Sequence, residues 1–155
     1  MHRRLALALA LALVPPAISA CGGGGGGLGE VTAIPADHLQ IVAEGRVLAT
    51  ATVDQIAAGE RARVEERGHD FAGVRLRDVL QGAGVDLAGL RGVEALAVDG
   101  YRFTLTRDLA LADTTLVADR EGDQALAGHV GPLRLVVAGD RAASVRALRR
   151  LVVNP

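Results

Sequence analysis

Phe71-Ala72-Gly73-Val74-Arg75-Leu76-Arg77-Asp78-Val79-Leu80-Gln81-Gly82-Ala83-Gly84-Val85 holds a strand, a helix and a stop within fifteen residues. Asp70, Phe71 and Ala72 begin an extended return after the turn Arg67-Gly68-His69. Val74, Leu76, Val79 and Leu80 then carry helical spacing, and Gly82 and Gly84 end it, glycine being the usual residue past a helix C-terminus. Upstream, residues 62–66 alternate small or apolar with charged side chains, as a half-buried strand does.

The same alternation of short elements continues outward in both directions. Residues 38–43 and 47–51 read as strands around a Glu44-Gly45 turn. Thr52-Val53-Asp54-Gln55 has capping-box spacing and predicts a brief helix to about Ala58. Downstream, residues 93–98 and 102–105 flank the hairpin signal Asp99-Gly100, and Thr106 is placed to cap a short helix over residues 107–111. Residues 115–118 predict a strand leading into the turn Glu121-Gly122-Asp123. Residues 132–137 predict a buried strand with Pro132 at its start, and residues 147–153 a final one. Many short strands with brief helices point to an α+β domain and away from a doubly wound parallel sheet.

The chain opens differently. His2, Arg3 and Arg4 form a positive start, residues 5–14 are all Leu, Ala or Val, and Pro15-Pro16 end the run. That apolar stretch is short for a bilayer span and has the layout of a secretory signal. Ile18-Ser19-Ala20-Cys21 resembles a lipobox, which implies cleavage before Cys21, the only cysteine in the chain, and its lipidation. The glycine run 22–27 then acts as a flexible tether with a reach of roughly 15–20 Å. The expected organisation is a signal over residues 1–20, lipidated Cys21 and tether over 21–36, and one domain over 37–155. Export and anchoring in the cell envelope follow. Gly22 in place of Asp after the cysteine points to the periplasmic face of an outer membrane.

Composition narrows the function classes. All 17 basic residues are Arg; without the signal, 15 face 18 acidic side chains, a balance of −3. That balance argues against nucleic acid, as does the scarcity of aromatics, limited to Phe71, Tyr101 and Phe103. With Cys21 committed to lipid, the domain has neither a disulfide nor a free thiol.

Several segments resemble the oxidoreductase molybdopterin-binding domain, whose fold is that of the sulfite oxidases. Residues 71–85 are similar to its "F-x-G-V-x-L-R-D-L-L-x-x-A-G-V" stretch. Asp99-Gly100-Tyr101 matches "A-D-G-Y", and residues 131–140, beginning Gly131-Pro132-Leu133-Arg134, match "G-G-P-L-R-L-V-V-P-G". Ser144-Val145-Arg146 through Val153 is similar to the family's ending "S-V-K-x-V-x-R-I-x-V". The resemblance implies a molybdopterin cofactor and, in complete members, a cysteine thiolate on molybdenum. A hand alignment puts Glu66 where that cysteine stands, and no cysteine follows Cys21.

Candidate residues follow from this likeness and from charge. Arg134, Arg141, Arg146, Arg149 and Arg150 crowd the C-terminal span, and guanidinium forks suit a pterin phosphate or, equally, a solvated strand face. Arg77 and Ser144 match family positions, although Arg77 with Asp78 also reads as a helix-start ion pair. Glu66, His69 and His129 form a candidate polar site. No metal-binding spacing occurs, because His69 with Glu65, Glu66 and Asp70 has no second histidine nearby. Nor is a catalytic nucleophile motif or phosphate loop present.

Two functions of different class remain. One is a non-catalytic binding or accessory module; the other is a molybdopterin oxidoreductase with a non-thiolate ligand or a partner subunit, including an envelope redox partner. The missing cysteine favours the module. So does the leader, because Arg3-Arg4 lacks the residues that complete a twin-arginine signal, the usual route for a cofactor-loaded protein.

Overall fold

The computed structural model describes residues 28–140 and 143–155. Signal, Cys21 and the glycine run 22–27 therefore lie outside the described residues, as does Arg141. The chain runs β1 (His38–Ala43), β2 (Arg46–Thr52), α1 (Val53–Ala57), β3 (Arg61–Glu66), β4 (His69–Arg75) and α2 (Leu76–Gly82). It continues β5 (Gly92–Ala97), β6 (Arg102–Thr106), α3 (Arg107–Leu111), β7 (Thr115–Glu121), β8 (Gln124–Ala125), β9 (Arg134–Val137) and β10 (Leu148–Asn154). This is the α+β arrangement the sequence predicts.

Local chemistry sets the helix starts. The Thr52 hydroxyl accepts from the Gln55 amide at 3.2 Å while Gln55 Oε1 accepts from the Thr52 amide at 2.8 Å, closing the capping box. Thr106 caps α3 in the same way, through Leu109. The helix expected from Val74 begins later, at Leu76. Val74 and Leu76 are two apart, a spacing a strand also satisfies, and the pairing of Val74 with Val117 of β7 keeps the backbone extended.

Two sheets result. The first has the order β2-β1-β10-β5-β6, with β1 and β10 parallel and its other pairs antiparallel. The second is β3-β4-β7, with β8 and β9 sharing the remaining side of β7. The main core lies between them: Leu39, Val93 and Leu151 of the first sheet meet Val74, Val117 and Leu135 of the second, closed by Leu76 and Leu80 of α2.

The second sheet also has a small core on its other face, formed by Val64, Phe71, Leu116, Ala118, Leu126 and Val136. Leu116, Ala118 and Val136 are inaccessible to solvent there. Curling of the sheet accounts for this. A flat sheet would hold β3 and β9 about 14 Å apart, three strand spacings. Yet Glu66, ending β3, accepts a hydrogen bond from the amide of Gly139, two residues past β9, at 2.7 Å. The face is thus concave. A bulge in β7 helps bend it: Ala72 pairs with Arg120 and Gly73 with Ala118, leaving Asp119 extra.

Candidate functional site

Strand register gathers Glu66, His69 and Arg134 on that concave face. Glu66 lies opposite His69, Val64 opposite Phe71, and Phe71 opposite Glu121. Arg134 of β9 lies opposite Ala118. Val145 bridges to Leu135 and enters the main core, so its neighbours Ser144 and Arg146 alternate toward the other side, with Arg134 and Val136.

Phe71 is the centre of the arrangement. The Arg134 guanidinium carbon sits 4.6 Å from the ring centroid, a cation–π contact, and the His69 ring stacks at 6.3 Å and 28°. His69 Nδ1 lies 2.5 Å from Glu121 Oε1. Glu66 is only 6% exposed; besides Gly139 it faces Arg67, with Nε 3.6 Å from Oε1. The Ser144 hydroxyl oxygen is buried without a hydrogen-bond partner, whereas Arg146 is exposed.

The remaining candidates stand elsewhere, and the described arginines near the C-terminus do not form one cluster. Arg150 leaves the first sheet on its outer face, donating to Gln40 Oε1 at 3.0 Å and to the Gly29 carbonyl at 2.6 Å. Arg149 is buried at the irregular start of β10, its Nε lacking a hydrogen-bond partner and Nη1 donating to the Leu148 carbonyl at 3.2 Å. Burial pushes the Arg149 guanidinium below its ordinary pKa. The contiguity of these arginines in sequence does not survive strand alternation and the bulge beside Leu148.

Arg77 belongs to an ion cluster at the start of α2. Its Nη2 lies 2.6 Å from Asp113, and Arg75 reaches Glu60 at 3.1 Å and the same Asp113 at 3.5 Å. The Glu60 hydrogen bond is the main reason that Arg75 is raised above its usual pKa. His129 is exposed in a 3-10 turn, Gly128–Val130. Sequence reasoning passed over Glu121 as a partner for His69, fifty-two residues away; no local signal links them. Phe71 was more accessible to reasoning, since His69 and Phe71 share a face by the period of two.

The geometry around Glu66 does not suit molybdenum. The side chain is a hard carboxylate and not a soft thiolate, and one carboxylate oxygen is engaged by a backbone amide. The surface beside it is filled by Phe71, Ala118 and Val136, each at most 2% exposed.

Three comparisons place the chain among known proteins. No curated protein matches it. Among solved structures it resembles the sulfane dehydrogenase SoxCD from Paracoccus pantotrophus, with a TM-score of 0.62 and 18% identity. The match covers 77% of this chain but 39% of that one, so the likeness is one of fold over part of a longer protein. A family model, the oxidoreductase molybdopterin binding domain, matches residues 42–155. The two sheets, the motifs around Gly73 and Pro132, and that match make this chain a member of the oxidoreductase molybdopterin-binding domain family.

Proposed function

We propose that this protein is an envelope-anchored lipoprotein whose molybdopterin-domain fold serves as a non-catalytic binding or accessory module. The observation that carries the reading is Glu66: the residue aligned with the family's thiolate ligand is a buried carboxylate whose oxygen closes the sheet onto Gly139. One oxygen of that carboxylate is committed to the fold, and a hard carboxylate is a poor substitute for the soft thiolate that molybdenum takes in the family. Lipidation of Cys21, the only cysteine, removes the one thiol and anchors the domain in the cell envelope, at the periplasmic face of the outer membrane. Two arginines of the concave face, Arg134 and the exposed Arg146, fit an anionic partner group without redox chemistry.

The test is elemental and pterin analysis of the mature protein taken from its native envelope. The expected result is no molybdenum and no fluorescent pterin on oxidation. Stoichiometric molybdenum would overturn the proposal and leave a redox enzyme with a non-thiolate ligand. Mass analysis of the mature N-terminus tests the anchor, which requires a diacylglyceryl-modified Cys21.

A further inference from the structure

We propose that the corner formed by the β1–β2 turn is a bilayer contact surface that orients the anchored domain. The inference rests on the lipid-anchor reading of Cys21 and extends it to the folded part of the chain.

Val47 and Leu48 are adjacent, aliphatic and 49% and 44% exposed. They begin β2, which is an edge strand of the first sheet. Ile41 pairs with Ala49 and Val42 with Val47, so Leu48 is an extra residue without a cross-strand partner. The bulge throws Leu48 out of the ladder, while Val47 lies on the outer face opposite Val42. An edge strand that shows two aliphatic side chains at a bulge is a liability in water unless something covers them.

The path of the chain says what does. Leu28, Gly29 and Glu30 line the same shallow depression, about 310 Å³, as Gly45 and Val47. Arg150 holds that entry point through the Gly29 carbonyl at 2.6 Å. Seven residues separate Cys21 from Leu28 inclusive of the cysteine, a span of about 25 Å at full stretch. The lipid therefore keeps this corner, and not the far edge at β6, beside the membrane. Two aliphatic residues are too few to recruit a protein from solution, but a tethered domain meets the surface at high effective concentration. Flanking Arg46 and Glu44, both exposed, sit at headgroup level, Arg46 able to pair with lipid phosphate.

The chain has no tryptophan, so one introduced residue reports alone. The mature lipidated protein is reconstituted into vesicles of phosphatidylethanolamine and phosphatidylglycerol as Leu48→Trp and, separately, as Tyr101→Trp, the latter in the turn before β6 at the opposite edge. The Leu48→Trp probe should show blue-shifted emission quenched by lipids brominated in their acyl chains, and the Tyr101→Trp probe neither. Equal quenching of the two, or a Leu48→Trp probe emitting as in water, overturns the proposal. Vesicle flotation of the wild type, lost in Cys21→Ser, tests the anchor separately. Failure to float overturns both readings, whereas flotation with a water-exposed probe overturns this one alone.

Discussion

Replacing Gly73 by alanine adds one methyl group at the closest approach of two strands. A Cβ built there falls 2.2 Å from the Val117 carbonyl oxygen and 2.5 Å from the Ala118 Cα. Carbon atoms in unstrained contact stay about 3.5–4.0 Å apart, so β4 and β7 must separate by roughly 1 Å along their seam. Both obstacles are backbone, and no side chain can rotate away. The β7 bulge at Asp119 is what brings the strands so close, and the seam joins the two central strands of the second sheet. Overpacking of this kind costs about 3 kcal/mol, the top of the usual range. For a domain of this size that lowers the melting temperature by roughly 10–15 °C. The matched control is Gly82→Ala at the end of α2, where no atom lies within 4 Å and the backbone is helical. There the same methyl group should stabilise by up to about 1 kcal/mol. Thermal and urea unfolding of both variants, followed by circular dichroism, measures the contrast. A Gly73→Ala protein melting within a degree or two of the wild type would refute the close approach and the bulge that causes it.

Glu66→Ala should destabilise the domain by about 1–2 kcal/mol and Glu66→Gln by less, because a charge-assisted bond is lost but exposed Gly139 can recruit water; urea midpoints decide it. Arg149→Met should be neutral or stabilising by up to about 2 kcal/mol, since a buried guanidinium with an unpartnered Nε is exchanged for apolar volume. A clear loss of urea stability would mean that Arg149 has a favourable role in the fold. The hydrogen bond from His38 is the main influence holding the Asp37 carboxyl below its ordinary range. Its folded pKa being depressed, its contribution is present above the ordinary carboxylate range and fades as pH falls through the lower folded value. Asp37→Asn should therefore give a flatter acid limb in melts run from neutral to acid pH; an unchanged limb would show that the pairing is not maintained in solution.

The elements of the fold were largely written in local chemistry. Capping-box spacing at Thr52 and the Thr106 cap depend on residues within one helical turn, and both helices form where those caps stand. The alternation over residues 62–66 predicted a half-buried strand, which forms as β3 with Val64 and Glu66 on its buried face. Gly73 falls within the family motif, yet the reason for a glycine there is a bulge in a strand more than forty residues downstream. The site was less legible for the same cause. Of the arginines close in sequence, Arg134 stands in the second sheet and Arg149 and Arg150 in the first, Arg149 as the extra residue of a register slip, while His69 and Glu121 meet across fifty-two residues. The curl that joins Glu66 to Gly139 is a property of four strands together, and no window of sequence contains it.

The parallel pairing of β1 with β10 has a kinetic consequence. Gln40 and Arg150, 110 residues apart, sit side by side near the middle of the first sheet. A chain emerging amino-terminus first, from a ribosome or through a membrane pore, presents β1 long before its central neighbour exists. Until then the hairpin of β1 and β2 has an open inner edge, and the β5–β6 hairpin has nothing to join it to. Such long-range closure is slow and all-or-none. Loss of β10 would therefore leave two unpaired hairpins instead of a smaller domain. Whether that one strand docks decides whether any of the first sheet exists.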